Sequence, residues 1–75
     1  MSQPLAEVEH PIYEITGTKQ EDGHWLLSAD IPGGVITHTV RSVDDTEWLR
    51  HEMKALISAQ LGTDVDSFKV RFHYV

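Results

Sequence analysis

The stretch Asp22-Gly23-His24-Trp25-Leu26-Leu27-Ser28-Ala29-Asp30-Ile31-Pro32-Gly33-Gly34-Val35-Ile36-Thr37-His38-Thr39-Val40-Arg41-Ser42 reads as a turn, a strand, a second turn, a second strand and a helix cap. Asp22-Gly23 marks the first turn, because glycine enters positive φ without steric cost. From His24 to Asp30 the side chains alternate, with Trp25, Leu27 and Ala29 on one face and His24, Leu26 and Ser28 on the other. Ile31-Pro32-Gly33-Gly34 suits a type II turn: proline fixes a negative φ and the glycine after it supplies the positive one. Val35 to Arg41 then reads as the next strand.

On the N-terminal side, Ile12-Tyr13-Glu14-Ile15-Thr16 is a β-branched and aromatic run with strand character. Gly17 to Gly23 reads as the polar connection of a hairpin. Residues 1–10 are polar, include Pro4, and are expected to form a flexible tail ahead of a single domain over residues 11–75.

On the C-terminal side, Ser42-Val43-Asp44-Asp45 announces a helix. The Ser42 hydroxyl is expected to accept a backbone N–H three residues on, with Asp45 reaching back as in a capping box. Asp44, Asp45 and Glu47 suit the positive end of the helix dipole. Leu49, Met53, Leu56 and Ile57, joined by Gln60 or Leu61, form a stripe at helical spacing, and Gly62 fits a left-handed stop. After a loop over Thr63 to Ser67, Phe68, Val70, Phe72 and Tyr74 alternate with Lys69, Arg71 and His73. That is a half-buried strand, apolar toward the helix and basic on the other side.

The order is strand, strand, strand, helix, strand. Antiparallel meanders followed by a right-handed crossover place the last strand parallel to the first, in spatial order 3-2-1-4. The expected fold is α+β in two layers, with one helix on one face of the sheet and the other face open.

With 75 residues and no cysteine, the chain buries only roughly 60–65% of its unfolded surface and has no disulfide to compensate. Association is the common remedy, so a homodimer is expected. Twelve Asp and Glu against six Lys and Arg give a net charge of −6, which argues against direct binding of nucleic acid through phosphate neutralisation. No apolar run approaches the roughly 20 residues needed to span a bilayer, and the first ten residues lack the charge and apolar core of a signal peptide. A cytoplasmic protein without membrane contact is expected.

The chemistry-bearing residues give no enzyme pattern. His10, His24, His38, His51 and His73 are scattered without ligand spacing, so no metal site is expected. His38 and His73 are candidates to share the open sheet face. His51-Glu52 opens like a zinc-protease helix, but Ala55 stands where the second histidine belongs. Gly33-Gly34 lacks the lysine and following helix of a phosphate loop. Asp44-Asp45 reads as capping, no Ser, His and acid suggest a triad, and Trp25 and Trp48 read as core or dimer contacts. No catalytic residue and no cofactor are expected.

Taken together, Tyr13-x-Ile15, Asp22-Gly23-x-Trp25, Ile31-Pro32-Gly33, Thr37-His38 and the acid-started helix resemble the HicB-like antitoxin family. The resemblance runs from about residue 12 to about residue 72 and is strongest to short actinobacterial members, whose helix leads into a segment like Asp66-Ser67-Phe68-x-Val70. It implies a trimmed RNase H-like fold without the metal-binding carboxylates of a nuclease. It also implies a non-catalytic domain that occludes a small, basic, RNA-cleaving toxin of the HicA type. Members commonly add a DNA-binding segment, for which this sequence shows no counterpart, and Ala29 stands where many have proline. An acidic antitoxin gains association rate from a basic partner, which makes Glu21, Asp22, Asp44, Asp45 and Glu47 the candidate contact residues. The alternative expectation is a stand-alone interaction domain, such as a phage-encoded adaptor, with no toxin partner.

Overall fold

A computed structural model describes residues 10–75. All of the expected tail except His10 therefore lies outside the described residues. The architecture is α+β: β1 (Ile12–Lys19), β2 (Trp25–Ile31), β3 (Gly34–Val40), α1 (Thr46–Leu61) and β4 (Lys69–Tyr74), with a short 3₁₀ turn at Val65–Ser67 before β4. The four strands form one sheet in the order β3-β2-β1-β4. β1 and β3 run antiparallel to β2, while β4 runs parallel to β1. Both the order and the directions match the sequence expectation.

The two hairpins solve the reversal differently. In the first, Gln20 N–H bonds to His24 O at 2.7 Å and Gly23 N–H to Gln20 O at 3.0 Å, with Gly23 at φ 92°. This is a three-residue loop whose last residue is left-handed. In the second, Ile31 pairs with Gly34 across Pro32-Gly33, and Gly33 sits at φ 96°. Proline at the first corner excludes both mirror-image hairpin turns, so the positive φ falls on Gly33 as the type II reading requires.

β1 runs three residues further than the expected Thr16 end, to Lys19. Gly17 is not part of the connection: it is buried mid-strand, and a Cβ there would meet Tyr74 Cδ1 at 2.8 Å and Leu27 Cδ2 at 3.1 Å. A glycine in a strand can mark the place where another group must come close, and here that group is an aromatic ring.

The helix begins later than expected. Asp45, not Ser42, is its N-cap: the Asp45 carboxylate accepts Trp48 N–H at 3.1 Å. The Ser42 hydroxyl instead accepts Asp44 N–H at 3.1 Å and shapes the approach. A carboxylate placed three residues before a free N–H is as good a cap as serine, and the later start fits Asp45. Gly62 closes the helix at φ 72°, donating its N–H to Ser58 O at 2.8 Å.

Leu49, Met53 and Ile57 are the buried helix residues. They meet Ile15, Leu27, Ala29, Ile31 and Val40 from the sheet and Phe68 from the turn before β4. Leu56, expected in this stripe, is 36% exposed, Gln60 is exposed, and Leu61 packs at the margin. The stripe steps by four residues, so a position three on from Met53 rotates past the edge of the contact. Phe68 lies just outside β4 yet is buried in the core. Lys54 Nζ stands 5.4 Å from its ring centre, and Tyr13 packs against it with centroids 5.5 Å apart.

The open face carries Thr16, Thr18, Ser28, Thr37 and Thr39 by strand alternation from the observed register. The basic row of β4 also lies there, and two of its members, Arg71 and His73, are engaged. Glu14 from β1 reaches Arg71 Nη1 at 3.3 Å and bonds the His73 imidazole. His38, expected on this face with His73, is on the opposite one, 3.9 Å from Glu52 of the helix. Its register with Leu27 fixes that side, because Leu27 faces the core.

Candidate partner-binding surface

The five acidic candidates occupy three different settings. Glu21 and Asp22 sit in the first hairpin. Asp22 is held by its own turn: its carboxylate accepts His24 N–H at 3.0 Å. Its second oxygen lies 3.2 Å from His24 Nδ1. The His24 backbone N–H, helped by the imidazole beside it, holds the Asp22 carboxyl below its ordinary value against a smaller opposing effect of desolvation.

Asp44 and Asp45 lie at the entrance to the helix and line a groove of about 590 Å³. One wall is β3 and its continuation, with His38, Val40 and Arg41; the other is the helix flank, with Trp48 and Glu52. Glu47 points elsewhere. It pairs with Arg50 at 2.9 Å and borders a smaller pocket of about 250 Å³ shared with His51, Lys54 and Asp66.

Helical geometry explains this partition. With Leu49 and Met53 turned to the core, Asp45, Trp48 and Glu52 follow at i, i+3 and i+7 along one flank, the side of β3. Glu47 lies about 100° away from Trp48 around the axis and falls on the other side. Trp48, expected in the core or a dimer contact, is not in the core: it is 48% exposed and stands open to the groove. The pairing of Trp25 with Val40 puts the first hairpin and the helix entrance at the same end of the sheet. Trp25 and Tyr74 meet edge to face at that end, 5.7 Å apart, and burial raises the Tyr74 phenol above its ordinary value.

Sequence reading therefore found Asp44 and Asp45 but not Trp48, Glu52 and His38, which complete the groove. The helical wheel contains the signal for Trp48 and Glu52 on one flank. Nothing in the sequence pairs that flank with β3 and not β4.

Chemically the groove offers an indole face, three carboxylates and one guanidinium, an arrangement suited to a cationic side chain with an apolar stem. Among the described residues, no three His, Cys, Asp or Glu come together that could hold a metal ion, and no helix is long and apolar enough to cross a membrane. Compared with protein families, curated proteins and solved structures, the chain matches none.

Proposed function

We propose that this chain is a non-catalytic protein-binding module of the HicB antitoxin type, a trimmed RNase H-like domain that neutralises a small basic RNA-cleaving protein. The observation that carries the reading is the groove beside β3, where Asp44, Asp45 and Glu52 surround the exposed Trp48 in a chain of net charge −6. Carboxylates around an exposed aromatic steer a basic protein and then give it a surface to bury, the first acting on the rate of encounter and the second on lifetime. The sequence pattern of the family supports the same reading, as does its β-β-β-α-β order with the 3-2-1-4 sheet.

The test is co-purification of the tagged chain from its native host, followed by a ribonuclease assay on the recovered partner. A small basic protein whose RNA cleavage is suppressed by adding this chain supports the proposal. A partner whose cleavage is unaffected, or recovery of no basic partner at all, leaves the stand-alone interaction domain as the better account.

A further inference from the structure

The two edges of the sheet differ in composition. β4 carries Lys69 and Arg71, charges of the kind that keep an edge from pairing. β3 reads Gly-Val-Ile-Thr-His-Thr-Val over Gly34–Val40, with no Lys, Arg, Asp, Glu or Pro. It pairs residue for residue with β2, from Trp25↔Val40 to Ile31↔Gly34, so no bulge twists it away. Among the described residues no strand lies beyond it, and Val35 is 60% exposed.

The groove runs along that same edge. His38 and Val40 of β3 form one side, and Trp48 and Glu52 the other. Any chain paired to β3 would, by the two-residue period of a strand, send every second side chain toward the helix side, into the groove.

Resting on the function proposed above, we infer that β3 takes an extended basic segment of the partner as a fifth strand, whose alternate Lys or Arg side chains enter the groove over Trp48 toward Glu52 and Asp44. Main-chain pairing supplies affinity without regard to sequence, and the groove selects the register and the charge. Charge also favours such a segment at this edge over the second copy expected from the small size of the chain, which leaves the rest of the surface for self-association. Two chains each carrying −6 repel across a shared seam, whereas a basic strand is drawn to it.

The experiment titrates the ¹⁵N-labelled full chain with a blocked heptapeptide alternating lysine and valine, and separately with a glutamate–valine peptide of equal length. The expected result is chemical-shift change and slowed amide exchange along β3 and the groove with the lysine peptide alone. Trp48→Ala should weaken binding about tenfold and Glu52→Gln about threefold, with affinity falling as salt rises. Both residues are at least partly exposed, and the spectra of the free variants check that they fold. Shifts confined to Glu21 and Asp22 would overturn the edge pairing while leaving an acidic, partner-binding protein intact. Equal binding of both peptides would overturn the charge selection and weaken the proposed function with it. Absence of binding at millimolar peptide would overturn the inference alone, since suppression of the native partner's cleavage is read independently. Protection of β3 without peptide, accompanied by a doubled mass, would assign the edge to a second copy and overturn it as well.

Discussion

The ring of Tyr74 lies across Gly17, so that any side chain at Gly17 would begin 2.8 Å from Tyr74 Cδ1. The two residues face one another in the parallel β1–β4 register. The contact brings the end of the last strand over the middle of the first, where Phe72 stacks with Tyr74 at 6.2 Å and Trp25 meets its edge. Val75 N–H then bonds to Gly17 O at 2.9 Å, so backbone and ring fasten the same point.

Gly17→Ala should destabilise the fold by about 1–3 kcal/mol through this overlap. In a Tyr74→Ala background the added cost should shrink, leaving only the 3.1 Å approach to Leu27. Urea denaturation of the two single variants and the double variant measures the coupling; strict additivity would show that the ring does not set the constraint.

Met53→Ala should cost about 2–5 kcal/mol, because Met53 is fully buried between helix and sheet. Leu56→Ala, three residues on, should cost about 1 kcal/mol, since that side chain is 36% exposed. Thermal melts of the pair rank the two positions, and a reversed ranking would mean that the helix is turned differently about its axis.

Removing the cap oxygen in Asp45→Ala should cost about 1 kcal/mol, while Asp45→Asn keeps an acceptor for Trp48 N–H and should be nearly neutral. Ser42→Ala should have the smaller effect of the two alanine changes, as its hydroxyl serves the approach to the helix and not the cap. Circular dichroism through a urea titration distinguishes them.

Asp22 makes stability depend on acid pH. Its folded pKa lies below the unfolded value of 3.8, so its contribution is fully present above that value and is lost as pH falls through the lower folded one. Melting temperatures followed from about pH 6 to about pH 2 should fall more for the parent chain than for Asp22→Asn, which has no proton to gain there. Parallel curves would mean that the His24 N–H bond does not discriminate between the charged and neutral carboxyl.

Local chemistry made much of the sheet legible. Gly23 and Gly33 stand at positive φ where the Asp-Gly and Pro-Gly pairs placed them, and Gly62 ends the helix as expected. These features depend on one residue and its neighbours. The end of β1 is not legible in the sequence because Gly17 resembles a turn glycine until Tyr74, 57 positions away in the chain, is laid over it. Ser42 reads as the cap because serine and aspartate offer equivalent oxygens within three residues of one another, and only the backbone path chooses between them.

By itself, the sequence determined the kinds and order of the elements, the directions of the strands and the charge of the whole, since each follows from short-range periodicity, turn chemistry or a simple sum. Tertiary structure alone decided that Glu14 contacts both Arg71 and His73, that His38 turns toward Glu52, and that Trp48 stands open beside β3, an edge strand among the described residues. Those relations join residues distant in the chain, and they depend on how one helix is rotated over one sheet, a choice made by packing the whole core at once.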